Sequence, residues 1–224
     1  MPRVIYLDIE TCAQPVQSRL AYKPTRDTIK LGNLRDESKI AAKVYEAVAE
    51  WESGSECGLD PFQAKIAIVG IMEGGDYNAL TLINFSEAEL LTEAWSILSP
   101  STEATTDLEI VGHNIRFDAG MMVRRSWLLG VDVPRGLVAD LYKKEPRHWR
   151  DTMMAWSLGS WPPEYIKLDK LALAFGVKCK QGEIHGSNFG EWWAKDKAAC
   201  IDYNEQDILA TRMVWEKIHG SHKA

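Results

Sequence analysis

An α/β domain built on a mixed sheet is what these 224 residues predict. Three observations carry that expectation. Short apolar runs of branched and aromatic side chains, VIYL at 4–7 and KIAIVGIME at 65–73, have the length of buried strands. Three strand patterns come before residue 86, and strand and helix then alternate. The remainder of the chain reads as helices. That order is the order of an α/β chain, so one three-layer domain over residues 1–224 with a roughly five-stranded sheet is expected.

The first strand covers Val4 to Thr11. Between it and the second strand lies a helical insertion, residues 12–64. It opens as a polar loop with Pro15, Pro24 and Gly32. A helix capped by Asp36 follows to about Glu52, with Ile40, Val44, Val48 and Trp51 at helical spacing. Gly54, Gly58 and Pro61 break it. Insertions of this length usually form lids or binding edges. Strands at 65–73 and 79–85 are joined by a Gly74-Gly75-Asp76-Tyr77-Asn78 turn. Ser86 and Glu89 make a capping box for a helix to about Leu98, and 99–107 is a polar linker. A strand at 108–113 leads into a helix from about Phe117 to Leu129. Residues 131–150 are loop-rich and basic, with one short strand at most. Asp151 caps a short helix through Ser157, and Trp161-Pro162-Pro163 is a rigid turn. Leu168 to Phe175 is an amphipathic helix stopped by Gly176. The last helix runs from about Asp196 to His219 and ends at Gly220.

Composition excludes several classes. A chain 46% hydrophobic and 26% charged is neither disordered nor fibrous. It has no 18-residue apolar run, so neither a membrane span nor a membrane partner is expected. The chain enters a strand at once, without a signal-peptide pattern. Cys12, Cys57, Cys179 and Cys200 form no Cys-x-x-Cys pair, so reduced thiols in a cytoplasm are expected. The net charge of −6 discourages a nucleic-acid partner at first sight. Its distribution says more: residues 1–110 hold 9 Lys+Arg against 18 Asp+Glu, whereas 124–180 hold 11 against 6. The basic middle is either a phosphate-facing surface or a solvated face, and the charge count does not separate the two.

Three motifs bear chemistry. Asp8 and Glu10 stand two apart at the end of the first strand and so share a face. Side by side there, they call for a divalent cation between them unless they simply dip into solvent. Gly112-His113-Asn114-Ile115-Arg116-Phe117-Asp118 sits at a strand-to-helix junction. Asp118 gains from the helix dipole in the first turn, a role that a plain cap also explains. In the last helix, Tyr203 and Asp207 lie one turn apart on a stripe with Ala199, Ala210 and Val214. An acid on an inward stripe needs a partner.

In this order the three motifs resemble the DEDD superfamily of 3′–5′ exonucleases in its tyrosine-bearing branch (DEDDy), on a ribonuclease H-like fold. The resemblance spans nearly the whole chain. Residues 147–192 are similar to the exonuclease domains of family B DNA polymerases, through RHWRDTM, KLDKLALAFGV and Gly-Ser-x-Phe-x-Glu-Trp-Trp. The 12–64 insertion is longer than most relatives carry and resembles one in phage-type exonucleases. No polymerase domain follows, so the resemblance implies a stand-alone nuclease.

The resemblance implies release of nucleoside monophosphates from the 3′ end of single-stranded DNA, in replication or repair. A separate DNA polymerase is the further partner it suggests. An exoribonuclease, and a non-catalytic module binding nucleic acid or a polymerase, are the alternatives. Phosphodiester hydrolysis needs an activated water and a balanced leaving alkoxide, which two divalent ions supply. Asp8 is the natural bridging ligand, Glu10 and Asp207 complete the ion that activates water, and Asp118 holds the second through water. Mg²⁺ is the expected ion and Mn²⁺ its substitute, because every ligand is a hard oxygen. Tyr203, with a reference pKa of about 10, orients the attacking water and keeps its proton. By resemblance the main chain at Ile9 and Thr11 touches the terminal nucleotide. Asn114 and Phe117 position the scissile end, with a core role for Phe117 equally open. Trp149, Trp156, Trp161, Trp192, Trp193 and Trp215 read as core or rim aromatics before stacking platforms. His113, His148 and His185 default to structural roles, because Tyr203 stands where the histidine branch carries its base.

Overall fold

The computed structural model describes residues 3–55, 57–75, 77–83, 86–99, 108–160, 162–177 and 182–220. The first strand, β1 (Arg3–Ala13), is central because both of its faces are wanted by the core. Ile5, Leu7 and Ile9 turn one way and are at most 5% exposed. Tyr6, Asp8 and Glu10 turn the other way. Around β1 stand β2 (Ala64–Glu73), β3 (Leu80–Leu82), β4 (Leu108–Gly112) and β5 (Trp149–Asp151), in the order β3-β2-β1-β4-β5. β2 is antiparallel to β1 and β3, while β4 and β5 run parallel to β1. The expected α/β architecture with a mixed five-stranded sheet is therefore present. A bulge falls between Glu10 and Thr11, where the register steps from Glu10↔Ile68 to Thr11↔Ile66.

Helices cover both faces. On one side α2 (Glu87–Leu98) and α3 (Ile115–Leu129) bring Leu90, Leu91, Trp95, Leu98, Met121 and Met122 onto Ile5, Leu7, Ile9 and Ile71. Each fully buried Leu or Ile contributes roughly 1.5–3 kcal/mol. A buried ion pair bolts this layer together. Arg125 Nε and Nη2 donate to the Glu87 carboxylate at 2.8 and 2.6 Å, and Glu87 Oε1 also accepts the Ile66 N–H at 2.8 Å. On the other side lie α7 (Phe189–Lys195) and α8 (Lys197–Ile218). Phe189 and Cys200 pack on Cys12 and Ile68, and Ile208 packs on Tyr6, Met72 and Val111. α6 (Leu168–Ala174) leans on α8 through Leu171, Ala210 and Val214.

Local signals account for most of these bounds. Asp36 caps α1 (Glu37–Ser53) through the Ser38 N–H at 2.9 Å, Ser86 and Glu89 form the capping box, and Asp196 caps α8 through the Ala199 N–H at 3.0 Å. Asp151 caps α5 (Thr152–Trp156). The differences are specific. β1 runs on to Ala13 and pairs it with Ala64, so the insertion proper lies between those residues. Its polar loop holds a 3-10 helix, Val16–Tyr22. Residues 131–150, read as loop, contain α4 (Arg135–Leu141), whose Asp140 carboxylate accepts the N–H groups of Arg147 and His148 at 3.0 and 2.7 Å. The third strand is shorter than 79–85, with 84–85 outside the described residues. Most of the 99–107 linker, Trp161, Lys178, Cys179 and Lys180 also lie outside them. Among the described residues Cys12, Cys57 and Cys200 form no disulfide, and no helix is long and apolar enough to cross a membrane.

Candidate metal centre

β4 accompanies β1 only as far as Tyr6↔Val111. Beyond that point β4 no longer pairs with β1, and α3 brings Asp118 close enough to the strand to feel the Ile9 N–H and the charge of Asp8. Across the opposite face runs α8, carrying Tyr203, Asn204 and Asp207 within little more than one turn. Strand alternation and helical periodicity thus aim acids from both ends of the chain at one place. Oxygens of Asp8, Glu10 and Asp207 all lie within 4.8 Å of one another. Glu10 is 8% exposed, and Asp8 and Asp207 are half-buried. At that spacing each pair of anions repels by about 3–4 kcal/mol at an effective dielectric of ~20. A bound divalent cation removes that repulsion.

Asp118 stands beside this trio, not within it. Burial first, then the charge of Asp8, push its carboxyl well above the usual carboxylate range, against the pull of the N–H groups of Asp118 and Ile9. Tyr203 packs on Phe189 with ring centroids 6.3 Å apart. Burial, then Glu10, Asp207 and Asp8 in turn, push its phenol far up, so it stays an O–H donor. Asn114 sits in the left-handed region (φ 59°, ψ 39°), a conformation asparagine tolerates, and forms the turn from β4 into α3. Its N–H donates to Asp151 Oδ1 at 3.0 Å. Phe117 is half-buried against the main core, which supports the core reading of that ring. The Thr11 hydroxyl donates to the Gly58 carbonyl at 2.8 Å, tying β1 to the insertion. Both Ile9 and Thr11 are paired with β2, opposite Val69 and Ile66.

No protein-family model and no curated protein matches this chain. Solved structures do match. A family B DNA polymerase from the hyperthermophilic archaeon Pyrobaculum calidifontis superposes over 97% of the chain with a TM-score of 0.58 at 16% identity. The likeness is one of fold. The chain spans 24% of that polymerase's length.

Sequence reasoning missed two groups that brace the centre. Asn204, fully buried, donates from Nδ2 to Asp8 Oδ2 at 2.7 Å. Asp151, read only as a helix cap, also anchors the Asn114 turn, and burial raises its carboxyl. Asn204 stands inside the Tyr203–Asp207 motif, and an amide on an inward helical stripe was the available signal. His113 is occupied at both nitrogens, with Nδ1 2.8 Å from the Thr152 hydroxyl and Nε2 2.8 Å from the Ile166 carbonyl, and burial lowers its pKa. The Trp149 ring is buried, its N–H on the Leu137 carbonyl at 3.0 Å. Part of the basic middle is consumed internally: Arg125 pairs with Glu87, Arg150 with Glu109 and Lys143 with Asp140. A cleft of about 1090 Å³ lies along β1, β4 and β5 between Arg3, Tyr6, Trp149 and Trp215. Asp8, Glu10, Asp118 and Asp207 do not line it.

Proposed function

We propose that this chain is a divalent-metal-dependent 3′–5′ exonuclease that shortens single-stranded DNA by nucleoside monophosphates. The observation that carries the reading is the convergence of Asp8, Glu10 and Asp207 within 4.8 Å, beside a phenol that keeps its proton. The donor set fits Mg²⁺ or Mn²⁺, being all carboxylate oxygen with no imidazole or sulfur among it. Asp8 would be shared between two ions, Glu10 and Asp207 completing one and Asp118 holding the other through water. When bound, such ions supply an acidified water and positive charge for the departing 3′ oxygen. The chain's own groups do the positioning. Tyr203 donates a hydrogen bond to the attacking water and is no base, since its proton stays on. Asp118 and Asn114 hold the junction against which the terminal nucleotide sits, and the remaining edge of Phe117 packs on its base. Preference for DNA, single strands and 3′ polarity draws support from the DEDDy resemblance and from the fold shared with a family B DNA polymerase.

Matched DNA and RNA strands labelled at the 5′ end, followed with Mg²⁺, Mn²⁺ or EDTA, test this. The expected result is a mononucleotide ladder shrinking from the 3′ end, faster on DNA and abolished by EDTA. Asp8→Ala and Asp207→Ala are each expected to abolish it while melting as cooperatively as the parent. A faster RNA ladder would make the chain an exoribonuclease. Binding without shortening would make it a binding module, and metal-dependent activity in either variant would remove the acidic centre from the chemistry.

A further inference from the structure

We infer that Asn204 is a positioning residue for the acidic centre, orienting the Asp8 carboxylate as a cation ligand, and that Gly70 exists to let it do so. The inference rests on reading that centre as a metal site. Asn204 is 0% exposed on the sheet-facing side of α8. Its Nδ2 donates to Asp8 Oδ2 at 2.7 Å, while its Oδ1 is buried with no hydrogen-bond partner among the described residues. The amide has only one tenable orientation. Turned over, its carbonyl oxygen would face a carboxylate oxygen at 2.7 Å, acceptor against acceptor. Burying that carbonyl without a protein partner costs free energy, while the other end of the same amide holds Asp8.

The sheet is built around that contact. Gly70 lies directly opposite Asp8 in the β1–β2 register. A β-carbon there would sit 2.1 Å from Asn204 Oδ1 and 2.3 Å from Ile208 Cδ1. With glycine here, the Asn204 amide and the Ile208 methyl lie over β2 in the space that a β-carbon would take, and the amide reaches Asp8 from that place. Two features that weaken a fold, an interior-strand glycine and an orphan carbonyl, thus serve one 2.7 Å hydrogen bond. The chemistry of the donor matters. A lysine or arginine in this place would cancel the Asp8 charge, whereas an amide fixes the carboxylate plane and leaves the charge for a cation.

The test compares the full chain with Asn204→Leu, Gly70→Ala and Asp8→Ala. Leucine nearly matches asparagine in shape, removing the donor and the orphan carbonyl together. The readouts are Mn²⁺ affinity by electron paramagnetic resonance, melting in metal-free buffer, and kcat/KM on a 5′-labelled single strand. For Asn204→Leu the expected result is a Tm at or above the parent's with Mn²⁺ bound about tenfold or more weakly. Activity should be partly restored by raising Mn²⁺, a recovery that a packing defect would not give. Gly70→Ala, which pushes the amide off Asp8, is expected to weaken Mn²⁺ in the same direction. Asn204→Ala repeats the reading if leucine unfolds the chain. Mn²⁺ affinity within twofold of the parent in folded Asn204→Leu or Asn204→Ala, with Asp8→Ala weakened, would overturn the role of Asn204 and leave the metal centre standing. Parental affinity in Asp8→Ala would overturn both.

Discussion

A phenol among carboxylates has one protonation state open to it. Burial and the charges of Glu10, Asp207 and Asp8 all act on Tyr203 in the same direction, so its O–H persists across the working pH range. Tyr203→Phe keeps the ring on Phe189 and deletes only the hydroxyl. The expected outcome is a fall of about 10²-fold in kcat, the magnitude of one well-placed donor, with Mn²⁺ affinity unchanged. The shape of the pH–rate profile should also be unchanged, because the group lost does not titrate there. Loss of a basic limb together with the hydroxyl would show that Tyr203 takes the proton. At this scale the sequence was informative wherever geometry is periodic. Asp8 and Glu10 share a face by strand alternation, and Tyr203 and Asp207 by the helical turn. It was uninformative about Asp118 standing beside the trio, because that depends on where β4 stops accompanying β1.

Among the elements, the insertion shows how a polar stretch can be fixed by one cation. Arg19 is 2% exposed and reaches across to the end of α1. It donates to the carbonyls of Gln14 (3.0 Å), Trp51 and Glu52 (3.1 Å) and to Cys57 Sγ at 3.2 Å, with its guanidinium 4.5 Å from the Trp51 ring centroid. The Trp51 and Glu52 carbonyls lie in the last turn of α1, where a cation is favoured. Arg19→Leu would strand several carbonyls in a buried place. A loss of about 3–5 kcal/mol is expected, read by urea melts, with faster proteolysis confined to the insertion. Arg19→Lys keeps the charge without the fork and should fall in between. If Arg19→Leu melts with the parent, the guanidinium does not hold the insertion. Helices α1, α2, α5 and α8 announced themselves because Asp36, the Ser86–Glu89 pair, Asp151 and Asp196 are local cap signals. The short α4 and α7 begin at Pro134 and Asn188 without any side-chain cap bond, and Arg19 is buried only through distant partners. Nothing local in the sequence marks such features.

For the whole molecule, the acidic centre is a local loss that the rest of the fold carries. Three mutually repelling carboxylates are held together by β1 and α8, and burial and Asp8 raise the Asp118 carboxyl. The sign of the pH dependence follows from linkage. A carboxyl whose folded pKa lies above its unfolded value, about 4, stabilises fully below that value. Its contribution is lost as pH rises through the folded pKa. The metal-free protein should therefore lose Tm with rising pH on account of Asp118, and Asp118→Asn should flatten that slope. Divalent cations act the other way, since they bind the ionised oxygens of the folded state alone. At a hundred times Kd, Mg²⁺ or Mn²⁺ adds about 2.7 kcal/mol. For a chain of this length that corresponds to roughly 5–10 °C in Tm. Asp207→Asn separates the two effects, because it relieves repulsion and removes a ligand at once. Its metal-free Tm should rise above the parent's while most of the metal-induced gain disappears. Equal metal-induced gains in Asp207→Asn and the parent would mean that the cations stabilise the fold somewhere other than between β1 and α8.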